Sequence, residues 1–230
     1  MGKILVVAPH PDDETLGCGA TLLRHKDDGD EIHWLIVTKR SEAFGYAKDK
    51  IERVVHQISE VKRLYDFDSV HQLDFDALSV DGSHMLQLVS KIGAVMKQIE
   101  PDTVFAPFPG DVHSDHRVIF DAVAGCGKWF RHPYVKRILA YEVISETDFD
   151  INPQNPTFRP NVFVDVSLYL EKKIQITTPP HNVLSRSSTQ HDADRRLGGP
   201  SVIAEDGAIS TELAQQRPDA GRRTHLNRQR

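Results

Sequence analysis

Apolar positions in this 230-residue chain alternate between short unbroken runs and stretches of helical period. The run Lys3–Ala8 is β-branched, ends at Pro9 and predicts a buried strand. Similar runs at 31–38, 70–73, 103–106, 137–144 and 162–166 predict five more. Between them, apolar residues recur every three or four positions. This predicts helices at 13–26, Lys48–Tyr65, Met85–Ile99, 115–130 and 168–176. The long helix from Lys48 has Ile51, Val54, Val55, Ile58, Val61 and Leu64 on one side. Gly17 and Gly19 are poor helix residues and predict close approach of a neighbouring backbone. Trp34 and Trp129 read as core or half-buried, and Cys18 and Cys126 as small buried hydrophobes. Strands alternating with helices at crossover spacing predict an α/β fold: a doubly wound, mostly parallel sheet with helices on both faces.

In such a sheet, ligands bind outside the carboxyl ends of the strands. The loops after strands one, two and four should therefore share an edge. Strand one ends in His10-Pro11-Asp12-Asp13. Imidazole nitrogen and carboxylate oxygen suit zinc, and Pro11 stiffens the turn by fixing its own φ and restricting His10. The two carboxylates point differently, so one can bind metal while its neighbour faces the attacking water. A helix cap built on the same residues would need neither His10 nor a second Asp. Strand four leads to His113-Ser114-Asp115-His116. His113 and His116 share a helix face and could both reach a metal, and Asp115 could hold an imidazole in one tautomer. Two His and one Asp would leave zinc an open coordination position, as in hydrolytic sites.

At these residues the chain resembles the LmbE/PIG-L family of zinc-dependent N-acetylglucosaminyl deacetylases. The resemblance is carried by Ala8-Pro9-His10-Pro11-Asp12-Asp13-Glu14 and, about a hundred residues on, by His113-Ser114-Asp115-His116. It extends through the strand and helix order of residues 2–176 and implies a Rossmann-like fold. It implies zinc on His10, Asp13 and His116, and the ligand types leave another divalent ion such as Fe2+ open. Asp12 would be the general base, and His113, oriented by Asp115, would stabilise the oxyanion or protonate the leaving amine. The substrate would be a small N-acetylated amino sugar. Glu42 and Arg53 are the candidates for its recognition, and Asp111 stands where some members have Tyr. A sugar- or nucleotide-binding module without activity, and an amidase on a thiol-sugar conjugate, are the competing readings.

Composition narrows the setting. A net charge of −5 argues against a general nucleic-acid binder, and no apolar run approaches the roughly 20 residues of a membrane span. Two cysteines and no leader pattern are expected of a cytoplasmic protein. Gly17-Cys18-Gly19 lacks the third spaced glycine of a dinucleotide fingerprint. The division expected is a deacetylase-like domain over 1–176 and an atypical tail over 177–230. Residues 181–230 hold eight Arg, no Lys and no aromatic residue, although the chain has 12 Lys, two Trp, five Tyr and ten Phe in all. The break predicts a poorly ordered or frame-shifted terminus, with a helix within 209–216 as its candidate element.

Overall fold

The structure, a computed structural model, describes residues 1–149, 151–177 and 209–212. Its elements in chain order are β1 (Lys3–Ala8), α1 (Asp13–Leu16), α2 (Gly19–Asp27), β2 (Glu31–Lys39), α3 (Lys48–Tyr65), β3 (Ser69–Asp76), α4 (Met85–Ile99), β4 (Thr103–Pro107), α5 (Ser114–Cys126), β5 (Arg137–Tyr141), β6 (Val162–Phe163), α6 (Leu170–Thr177) and β7 (Ile209–Glu212). The strands form one sheet in the order β3-β2-β1-β4-β5-β7-β6. The first five are parallel, and β7 pairs antiparallel with both β5 and β6. The predicted parallel sheet is therefore present. The tail lies outside the described residues apart from Thr177 and β7, which is a strand where a helix was the candidate.

Strand alternation divides the core in two. Leu5, Val7, Leu35, Val37, Val104 and Ala106 face one side and pack with Leu88 and Ile92 of α4 and Ile119 of α5. Ile4, Val6, Ala8, Trp34, Ile36 and Phe105 face the other and pack with Leu22 of α2 and Ile58 and Val61 of α3. Burial on both faces explains why these strands read as unbroken apolar runs. Trp34 is fully buried, but Trp129 is 67% exposed, contrary to expectation. On α3 the buried stripe is Val54, Gln57, Ile58, Val61 and Tyr65, and Val55 faces out.

The chain reverses its direction of winding at β1. It moves outward to β2 and β3, then returns to place β4 on the opposite side of β1. The carboxyl ends of β1 and β4 thus open a crevice at the switch point. The predicted helix 13–26 is broken there into α1 and α2. A Cβ on Gly17 would lie 2.3 Å from Tyr141 Cδ2 and 2.7 Å from the Glu142 carbonyl oxygen. Only glycine permits β5 to approach this closely. The contact is pinned by the buried Tyr141 hydroxyl, which donates to the Val7 carbonyl at 2.8 Å.

Asp68 ties the opposite end of the sheet. Its Oδ2 accepts from the Ile32 amide at 2.7 Å and the Lys26 ammonium at 2.9 Å. Burial alone would raise its pKa, but the amide and Lys26 prevail and lower it. Asp68→Asn is expected to cost about 1 kcal/mol at neutral pH, a modest value for a partly exposed group. The stabilisation is present above the unfolded carboxylate value of about 3.9 and lost as pH falls through the lower folded value. The gap between the two melting curves should therefore close in acid.

Candidate metal centre

His10 leaves β1 into a tight turn, where its carbonyl accepts from the Asp12 amide at 2.9 Å. The Asp13 carboxylate folds back to accept from the His10 amide at 2.7 Å. From the end of β4, His113 caps α5, its Nδ1 accepting from the Asp115 amide at 3.2 Å. The first turn of α5 then carries the buried pair Asp115 and His116 into the crevice.

Three donor atoms converge there. Asp13 Oδ2 lies 3.2 Å from His10 Nδ1 and 3.3 Å from His116 Nε2, and the two nitrogens are 3.4 Å apart. Bonds of about 2.0–2.1 Å around a tetrahedral ion imply donor spacings of about 3.3 Å, so this set fits zinc. A second group, His10, His113 and Asp115, also has ligand-type atoms close together. In that group, however, Asp115 Oδ2 is 4.0 Å from His113 Nδ1 and is already committed elsewhere.

The remaining nitrogen of each converging imidazole faces a carboxylate. His10 Nε2 is 3.1 Å from Asp115 Oδ2, and His116 Nδ1 is 2.7 Å from Asp111 Oδ2. Such partners fix the tautomer and ring orientation of a metal ligand. Asp115 thus contacts His10 through its side chain, and meets His113 through its backbone amide. Its Oδ2 also accepts from the Leu78 amide at 2.9 Å. Leu78 has φ of 69°, an uncommon conformation for this residue, which turns that amide into the site. Asp111, fully buried, accepts from the Thr147 hydroxyl with its other oxygen.

The electrostatics follow from this packing. Burial disfavours protonated imidazoles, yet Asp13 together with Asp115 raises His10 to about 9, and Asp13 together with Asp111 raises His116 to about 10. Asp13 is itself buried, but the flanking His116 and His10 hold it far below the usual carboxylate range. A cation taking the place of those protons would meet an anionic pocket. Burial, with charge on His10, pushes His113 down to about 4, so its imidazole is neutral. Since Nδ1 accepts from a backbone amide, the neutral ring carries its proton on Nε2.

Asp12 is partly buried and lines the same cleft as His10, Asp13 and His113. Glu42 and Arg53 are exposed and do not line it. Arg40 and Tyr46, from the loop that holds Glu42, line it instead, as does Glu146 beyond β5. No local spacing marked Arg40, Tyr46, Leu78 or Glu146. Asp111 was distinguishable only by standing two residues before His113.

Removing the carboxylate in Asp111→Ala strands the buried Nδ1–H of His116. Affinity for divalent metal is expected to fall about 10–100-fold, measured by competition with a chromogenic chelator.

The chain resembles known proteins in sequence and in fold. The diacetylchitobiose deacetylase of Thermococcus kodakarensis is 26% identical over 188 residues, covering 75% of this chain and 67% of that protein. The N,N'-diacetylchitobiose deacetylase of Pyrococcus horikoshii, solved with its inhibitor MPG, superposes with a TM-score of 0.68. It is 19% identical, over 93% of this chain and 84% of that one, which shows the fold. The fold alone does not name a reaction. The 4-carboxy-2-hydroxymuconate hydratase GalB of Pseudomonas putida matches with a TM-score of 0.58 at 16% identity, over 95% of this chain and 99% of its own. The sequence profile of PIG-L, GlcNAc-PI de-N-acetylase, matches residues 5–126, more than half of the chain, and includes both His/Asp motifs. The chain belongs to the PIG-L family.

Proposed function

We propose that this chain is a divalent-metal-dependent, in the first instance zinc-dependent, N-deacetylase of N-acetylated amino sugars. The observation that carries the reading is the triangle of Asp13, His10 and His116 donors at 3.2–3.4 Å, with Asp12 and a neutral His113 beside it. A cation held by these three residues supplies Lewis acidity, polarising the acetyl carbonyl and acidifying a water. Asp12 takes the proton of the attacking water. The water oxygen joins the acetyl carbon, and His113 Nε2–H donates to the oxyanion that develops. As the C–N bond breaks, the proton held by Asp12 passes to the leaving nitrogen. The products are acetate and a free amine. Asp115 and Asp111, against the other nitrogens of His10 and His116, would fix the tautomers in which these two residues hold a metal ion.

The family and its deacetylase relatives support this assignment. Among the described residues, no helix is long and apolar enough to cross a membrane. Cys18 and Cys126 are buried free thiols, which suits a reducing, cytoplasmic setting.

The test measures bound metal in the purified chain and acetate release from N-acetylglucosamine and N,N'-diacetylchitobiose. Chelation should abolish release, and added Zn2+ or Fe2+ should restore it. A metal-loaded chain that releases no acetate from any N-acetylated sugar would sink the reading in favour of a binding module.

A further inference from the structure

One wall of the cleft takes no part in the hydrolysis. β2 ends in Lys39, and Lys39, Arg40 and Tyr46 line the cleft on that side. The intervening loop is closed by the short turn Glu42–Phe44 and by Gly45 at φ 80°. Arg40 is half-buried, and its Cζ lies 5.5 Å from the centroid of the Tyr46 ring. Among the described residues no carboxylate pairs with it. Lys39 reaches only the edge of ion-pair distance, 4.0 Å from Asp74 Oδ1. A guanidinium laid against an aromatic ring keeps its in-plane donors for an incoming anion, and its planar fork matches two oxygens of a phosphate or carboxylate.

Sheet order places this wall relative to the chemistry. β2 adjoins β1, whose end carries His10, Asp12 and Asp13. Glu146 lines the cleft from the loop after β5, a strand three spacings from β2, with the two strand axes about 14 Å apart. A ring whose acetamido group sits at Asp12 and His113 can therefore direct a neighbouring substituent toward Arg40 and away from Glu146.

We propose that Arg40, backed by Tyr46 and Lys39, selects N-acetylated sugars that carry an anionic substituent, a phosphate or a carboxylate, beside the acetamido-bearing ring. The inference rests on the deacetylase reading for its choice of sugar, but the anion site can be read separately by binding.

The experiment titrates the full-length, metal-loaded chain with N-acetylglucosamine, N-acetylglucosamine 1-phosphate and N-acetylmuramic acid, and follows acetate release in parallel. At low salt at least one anionic sugar should bind ten times or more tighter than the neutral one. The advantage should shrink as ionic strength rises. Arg40→Gln should bring the ratio near one, and Arg40→Lys, which keeps a point charge, should retain part of it. The stronger of the two anionic ligands identifies the anion. Equal binding of neutral and anionic sugars, or a ratio unchanged in Arg40→Gln, overturns the proposal. Anion-selective binding without acetate release would instead overturn the catalytic reading and leave the anion site standing. Acetate released equally well from neutral and anionic sugars would do the reverse.

Discussion

Asp12→Asn is expected to bind metal at the wild-type stoichiometry while acetate release falls by about 10²–10⁴-fold, the usual contribution of a positioned general base. The residue is suited to isolating this effect. It lines the cleft but lies outside the triangle of Asp13, His10 and His116. Asparagine has nearly the same volume and cannot take a proton at working pH, so substrate should still bind. The loss should appear in kcat, with KM little changed. Metal content and kcat measured on the same preparation decide the matter. A variant with full metal and wild-type kcat would show that the base lies elsewhere.

Asp13→Asn should have the opposite signature: metal and activity disappear together. Its carboxylate is buried and contacts both imidazoles, and it supplies the negative charge of the donor set. Asparagine can still accept from the His10 amide, so the turn should persist and the defect should be confined to the ion. Adjusting second-sphere partners alone alters metal affinity about 10–100-fold. Losing an anionic ligand should exceed that, with activity down by more than about 10³-fold. Thermal denaturation gives an independent readout. Excess zinc at about 100 times its Kd should stabilise the wild-type chain by about 2.7 kcal/mol, and Asp13→Asn should show no such shift. A zinc-induced shift equal to that of the wild type would remove Asp13 from the ligand set.

Together these two variants separate the roles of adjacent carboxylates. Sequence alone placed His10, Asp12 and Asp13 at the end of β1, and His113 and His116 at the start of α5. Both placements depend on local patterns: an apolar run halted by proline, and histidines spaced one helical turn apart. The parallel sheet was legible for the same reason. Runs such as Trp34–Val37 are apolar throughout because both of their faces are covered.

The departures from expectation come from contacts that no local pattern carries. The helix expected over 13–26 breaks because β5 crosses at Gly17, a contact between residues more than a hundred positions apart. The family resemblance put forward Arg53 for substrate contact, and α3 buries Val54 and Ile58 and leaves Arg53 outward. Arg40, at the end of β2 itself, reaches the cleft.

The sequence by itself determined the fold class, the identity of the six motif residues and the edge of the sheet where they meet. Periodicity and motif spacing are properties of a few neighbouring residues, so they survive without knowledge of the rest of the chain. Only the tertiary structure decided who orients whom. Asp115 serves His10, 105 residues away, and fully buried Asp111 anchors His116. Leu78 turns an amide toward Asp115, and Arg40 lies over Tyr46 at the rim. These pairings depend on the register of adjacent strands and on how loops from separate strands pack over one sheet edge. No single stretch of the chain contains that information.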